Sequence, residues 1–169
     1  MTGPVDAADE PVDPSRVSAW GVMPTRGRLL GVDFGTKRIG LAVSDREQSL
    51  ASPVDPVQSK NPQHDRGEYR QVLTRWEPKA IVVGLPLHAD GGESAMSLRA
   101  RAHAAWLHGQ FGLPCLMHDE RYTSLEANAA LYESDATNRQ RKRRVDGIAA
   151  AFMLQSYLDR LRNPEVTNE

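Results

Sequence analysis

Residues 29–44, Leu29-Leu30-Gly31-Val32-Asp33-Phe34-Gly35-Thr36-Lys37-Arg38-Ile39-Gly40-Leu41-Ala42-Val43-Ser44, read as two strands joined by a tight turn. The first, 29–34, is apolar up to an acidic end. The second, 38–44, carries Ile39, Leu41 and Val43 at every second position, the period of a strand. With only Gly35, Thr36 and Lys37 between them the two can pair only as an antiparallel hairpin. A third strand follows over 50–57, and Pro53 and Pro56 place it at a sheet edge, where a missing N–H costs least. Residues 64–76 read as a helix stopped before Pro78. Residues 80–84, Ala-Ile-Val-Val-Gly, form a short continuous apolar run, as a parallel strand buried on both faces does. A helix over 93–110 is closed by Gly112 and Pro114, a fifth strand spans 116–120, and helices are expected over 124–132 and 145–161. The order β-β-β-α-β-α-β-α predicts an α/β domain with a mixed five-stranded sheet and helices on both faces.

The 169 residues suit one domain, with a core large enough to need no disulfide or structural metal. The single cysteine, Cys115, excludes an internal disulfide and a cysteine zinc cluster, and its strand setting marks it as a small buried hydrophobe. No apolar stretch approaches the roughly 20 residues of a membrane span, and the start of the chain has no signal-peptide pattern, so a cytoplasmic protein without membrane contact is expected. Residues 1–27 hold four prolines and the acids Asp6, Asp9, Glu10 and Asp13 without any period. They read as a disordered extension ahead of a domain over 28–162, with 163–169 a flexible C-terminus. The net charge of −1 conceals a cluster: five of the six residues from Arg139 to Arg144 are Lys or Arg.

Four acids, at three places, stand where elements begin or end. Asp33 closes the first strand, Asp119 and Glu120 close the fifth, and Asp146 opens the last helix. Ligands of α/β sheets gather at the carboxyl ends of strands. Carboxylates converging there need a counter-charge, which hard divalent cations supply. Asp33 could equally cap its turn; Asp146 could complement the dipole of its helix, although a carboxylate held rigidly at the mouth of a buried helix suits a metal ligand better. Asp119 and Glu120, as neighbours on a strand, face opposite sides, so only one joins Asp33 unless the strand has ended. Arg139, Arg141, Lys142, Arg143 and Arg144 could form a solvated face, but directly before a metal-ligating acid they suit phosphates better. Arg121 suits a phosphate or a carboxylate equally. The loop of Gly84-Leu85-Pro86 and Asp90-Gly91-Gly92, leading into a helix, could receive a phosphate on its N–H groups or be a plain connection. His64, His103, His108 and His118 lack metal spacing and read as structural or surface residues.

Four segments together, Gly31-Val32-Asp33-Phe34-Gly35-Thr36-Lys37-Arg38-Ile39-Gly40, Val83-Gly84-Leu85-Pro86-Leu87, Asp119-Glu120-Arg121 and the helix bearing Asp146, resemble the YqgF-like (RuvX) family. The resemblance implies a ribonuclease-H-like fold and an activity on pre-16S rRNA, in ribosome biogenesis, or on Holliday junctions, in DNA recombination. It selects Glu120 over Asp119 and implies a catalytic, metal-binding set of Asp33, Glu120 and Asp146 holding two Mg²⁺ or Mn²⁺ ions. Water would then attack the phosphodiester in line, with no nucleophilic side chain. Lys37, Arg38, Arg121 and the run Arg139, Arg141, Lys142, Arg143, Arg144 become the residues expected to meet structured RNA or branched DNA. At His88 the family more often has Asn, so no contact is carried over there. A homodimer is compatible with the sequence and not required by it.

The alternative is a ribonuclease-H-like module that binds nucleic acid without cutting it, although a degenerate copy would be expected to lose acids that this chain keeps. Asp33-Phe34-Gly35-Thr36 also resembles the phosphate hairpin of actin-like kinases and ATPases. Those proteins need a second lobe with its own copy, and this chain has neither the length nor the repeat.

Overall fold

The computed structural model describes residues 19–122 and 138–163, with side chains over 20–121 and 147–163. The strands are β1 (Ala19–Trp20), β2 (Leu29–Asp33), β3 (Arg38–Ser44), β4 (Ala51–Gln58), β5 (Ala80–Leu85) and β6 (Cys115–Asp119). The helices are α1 (Pro62–Trp76), α2 (Ala95–Phe111) and α3 (Asn138–Arg162), and a single 3₁₀ turn covers Glu120–Tyr122. In space the strands run β1-β6-β5-β2-β3-β4. The hairpin β2–β3 and the pair β3–β4 are antiparallel, whereas β5 lies parallel to both β2 and β6.

The edge position of β4 agrees with its prolines. Asp55 and Pro56 together oppose Gly40, a bulge flanked by the pairs Ile39↔Val57 and Leu41↔Val54, so Pro56 sits where the ladder is already interrupted. Every residue of β5 is buried, as its unbroken apolar run requires. Asn61 caps α1 by accepting a hydrogen bond from the His64 amide, while Ser94 and Ser97 cap α2 reciprocally and Gly112 ends it in the left-handed region.

Alternation along the strands divides the core. Leu30, Val32, Ile81, Val83, Cys115 and Met117 meet Tyr69 of α1 and Ala100, Ala104 and Leu107 of α2 on one face. Leu29, Ala42, Ala80 and Val82 meet Ala150, Met153, Leu154 and Leu158 of α3 on the other. Gly31 belongs to this second face: a Cβ there would lie 2.9 Å from Leu154 Cβ, so the absent side chain lets α3 settle directly on the centre of the sheet.

Three expectations need correction. The domain begins before residue 28, because Ala19 and Trp20 pair with Leu116 and Cys115 as a sixth strand and Trp20 packs on the α1–α2 core. Gln48 holds the connecting segment by donating to the Pro24 and Gly27 carbonyls, at 3.0 and 3.1 Å. One half-buried indole and two ladder residues suffice to tether a segment whose composition alone looks unstructured. The last helix starts at Asn138 rather than at 145. Lys, Arg and Gln are good helix formers, so a basic run extends a helix rather than delaying it. Asp146 is therefore inside a helix and does not open one, and the reading of it as a dipole-complementing acid at a helix start falls. The fifth strand of the sequence reading stops at Asp119, with Glu120 already in the turn. The helix expected over 124–132 lies outside the described residues, as do 1–18 and 164–169. Among the described residues no helix is long and apolar enough to cross a membrane.

Candidate active site

Asp33 and Glu120 come together at the carboxyl end of the two central parallel pairings. Asp33 is two residues past Gly31 and shares its face, the one covered by α3. On β6, His118 also points to α3, where its Nε2 lies 3.1 Å from Ser156 Oγ and its ring meets Tyr157 edge-on. Glu120, two residues on, falls on that face, and Asp119 falls on the other. Glu120 is half-buried, and its carboxyl is hydrogen-bonded to Asp33. Burial first, then the charge of Asp33, the hydrogen bond they share and the charge of Asp119, raise its pKa to about 8. Two carboxylates in one desolvated place hold a proton at neutral pH when nothing else supplies positive charge.

Gly84 makes this approach sterically feasible. It lies on β5 between the two acids, and a Cβ there would collide with Glu120 Oε1 and come within 3.0 Å of its Cδ. In the sequence Gly84 stands out only as part of a motif; its role as the space for a carboxylate is visible in the structure alone.

The level of position 146 follows from described neighbours. Gln155 of α3 accepts from the Ala51 amide and donates to the Ser49 carbonyl, at the end of the sheet where β2 begins. Ala150 and Leu154 lie over Gly31, and Gly147 lies against Pro53 and the Val54 carbonyl, opposite Leu41 and hence level with Val32. The helix thus runs antiparallel to β2, and its N-terminal direction leads toward Asp33. Position 146 is one turn before Ala150 on the same helical row, which sets it at the level of Asp33. The run from Arg139 to Arg144 occupies the turns before it, so α3 carries these residues up to about 10 Å further along its axis. The side chains of Asp146 and of the basic run lie outside the described residues.

The remaining expected contacts divide. Lys37 is exposed in the β2–β3 turn, and Arg38 starts β3, partly buried opposite Gln58. Arg121 is taken up by Asp119, whose oxygens accept its Nε at 3.0 and 2.9 Å, and by the Ala89 carbonyl. That favours the carboxylate role over a phosphate contact, and Arg121 keeps Asp119 ionised. The phosphate-cradle reading of the 84–92 loop is not supported. Gly91 N–H donates to the His88 carbonyl, Gly92 N–H to Asp90 Oδ1, and Ser94 and Ser97 N–H groups to each other's hydroxyls. The loop is a self-bonded connection. Three of the histidines are held by hydrogen bonds within the fold: His103 to the Tyr69 hydroxyl, His108 to the Leu113 carbonyl and His118 to Ser156.

An all-oxygen pair of carboxyls sharing a proton fits a hard divalent cation, which would replace that proton. Among the described residues no three metal-ligating side chains cluster, so a complete cage would need a ligand from position 146.

Comparison with known proteins identifies the family. A family model described as RuvX, Holliday junction resolvase, matches residues 27–160. A protein of Koribacter versatilis named "Putative pre-16S rRNA nuclease" is 45% identical over 134 residues, covering 79% of this chain and 88% of the relative. One of Klebsiella pneumoniae with the same name is 40% identical over 133 residues, covering 79% and 96%. Among solved structures, T. thermophilus RuvC in complex with Holliday junction substrate superposes with a TM-score of 0.50 at 18% identity, covering 81% of this chain and 97% of that one. That likeness bears on the fold, which is of the ribonuclease H type.

Proposed function

This chain belongs to the RuvX family, and we propose that it is a metal-dependent endonuclease that hydrolyses phosphodiester bonds in structured nucleic acid. The observation that carries the reading is the half-buried, hydrogen-bonded Asp33–Glu120 pair in the space left by Gly84. Precursor 16S rRNA is the favoured substrate, since relatives of 40–45% identity carry that name, and four-way DNA junctions follow from the family's description.

Asp33, Glu120 and Asp146 would hold two divalent ions, Mg²⁺ or Mn²⁺. When bound, such ions polarise the phosphoryl oxygens and lower the pKa of the attacking water. The protein's own contribution is positional. The end of β2 fixes Asp33, the turn directly after β6 fixes Glu120, and α3, pressed on Gly31, fixes the level of Asp146. Preorganised carboxylates need no rearrangement when the phosphate arrives. Arg139, Arg141, Lys142, Arg143 and Arg144, on the same helix, draw the backbone of the substrate toward the acids.

The test is cleavage of precursor rRNA and of four-way junctions, side by side, with Mg²⁺ or Mn²⁺. Asp33→Asn, Glu120→Gln and Asp146→Asn should each abolish cleavage while leaving a folded protein. Wild-type rates in all three would exclude the carboxylate site and leave a non-catalytic binding module.

A further inference from the structure

Phe34 follows Asp33 directly, and alternation turns it to the opposite face of the sheet, against His103 at 4.7 Å between ring centroids. His103 in turn stacks on Trp106, at 5.4 Å and 24°. These three rings wall a cleft of about 420 Å³ whose rim includes Ser59, Lys60, Asn61 and Arg99. The Ser59 amide donates to the Lys37 carbonyl, which ties the rim to the turn that carries Lys37.

We propose that this cleft holds an unpaired nucleotide of the substrate beside the cleaved bond, with its base on the Phe34–His103–Trp106 wall and its phosphate at Lys60 and Arg99. The inference rests on the nuclease reading of the carboxylate site and specifies the substrate: a strand that is single-stranded next to the cut.

The rings are more exposed than a core cluster would be. Tyr69, beneath them, is fully buried, whereas Phe34, His103 and Trp106 are each half-buried and present an edge or face to the cleft. The Tyr69 hydroxyl, 2.8 Å from His103 Nε2, fixes the imidazole. Burial lowers the pKa of His103 to about 4, against a smaller opposing effect of Asp65, so the ring is neutral and adds no charge to the aromatic wall. Lys60 and Arg99 are exposed and have no ion-pair partner among the described residues. Asp65, the acid in the wall, is turned inward, accepting from Ser59 Oγ at 2.6 Å and from the Lys60 amide at 3.0 Å. Unneutralised cations around exposed aromatic faces are the composition of a single-strand site, where every base can stack and every phosphate needs a counter-charge. In a duplex the base faces are already stacked, so only an unpaired base can use the wall. A strand crossing the end of β2 meets Asp33 on one side and Phe34 on the other.

Binding of a labelled eight-nucleotide oligoadenylate is compared with binding of a fully abasic chain of equal length, using the full-length protein in EDTA. Wild-type protein should prefer the oligoadenylate by roughly five-fold to a hundred-fold, the range for stacking of a base. Trp106→Leu should abolish most of that preference. Arg99→Ala, an exposed change that the fold tolerates, should weaken both ligands alike and flatten the salt dependence by about 0.7 log–log units. Equal wild-type affinity for the two ligands overturns the proposal. An undiminished preference in folded Trp106→Leu protein, or an unchanged salt slope in Arg99→Ala, does so too. Because the assay excludes metal, the two readings fail separately: unimpaired cleavage by Asp33→Asn refutes the nuclease site, whereas normal cleavage with no base preference refutes the cleft alone.

Discussion

Replacing Glu120 by Gln should stabilise the metal-free protein above neutral pH, and the size of the effect follows from the buried pair. The carboxyl titrates near 4.5 in the unfolded chain and near 8 in the folded one, chiefly through burial and the charge of Asp33. Below 4.5 both states are protonated and Glu120 contributes no pH dependence. Between 4.5 and 8 the unfolded state releases its proton and the folded state retains it, so stability falls as pH rises, by about 1.4 kcal/mol per pH unit at most. Above 8 the penalty is constant. The ceiling is about 5 kcal/mol, and sharing of the proton with Asp33 and residual solvation reduce it to about 2–4 kcal/mol. For a chain of this size that is a melting-temperature difference of about 5–15 °C. His103 and His118, both lowered to about 4 by burial, act in the opposite sense below pH 6.5, but they are common to both proteins and cancel in the difference. The assay is thermal melting of wild type and Glu120→Gln in EDTA from pH 5 to 9. Wild type should lose stability relative to the variant across this range, and Mg²⁺ at pH 8 should restore wild type more than the variant. Parallel profiles for the two proteins would refute a buried Asp33–Glu120 pair.

Gly84→Ala keeps every acid yet drives Glu120 from its place, so cleavage should fall about 100-fold, the cost of a displacement near 1 Å; a wild-type rate would show that Glu120 is not positioned by this space. Removing residues 1–20 deletes β1 and the half-buried Trp20, and should cost about 2 kcal/mol, or about 4–8 °C in melting temperature, whereas removing residues 1–18 should leave the strand in place. Arg141→Ala with Arg144→Ala should weaken duplex binding for all sequences alike, measured over a salt series with Ca²⁺, and make the log–log slope shallower by one to two units; an unchanged slope would return the run to a solvated face.

The β2–β3 hairpin, the proline-marked edge strand and the buried strand over 80–85 were legible in the sequence because each rests on a local rule: short turns, a missing N–H, an unbroken apolar run. Asp33 was legible for the same reason, as an acid at the end of a strand. The carboxylate partner was not. Adjacent Asp119 and Glu120 differ only in the face they occupy, and that face depends on where β6 ends and on the packing of His118 against α3, contacts across 38 residues of chain. Glu120 was chosen by family resemblance, whereas the pairing became physical only when Gly84 on a third strand left it room. The start of α3 misled because a charge run carries no tertiary signal, although its residues favour a helix. The aromatic cleft was not legible in the chain order: Phe34 lies some 70 positions before His103 and Trp106, which are neighbours on α2, and it meets them only because α2 packs on that face of the sheet. Local order in the chain is set by backbone sterics and hydrogen bonding between near neighbours. Which distant side chains share a desolvated space is decided by how the layers pack.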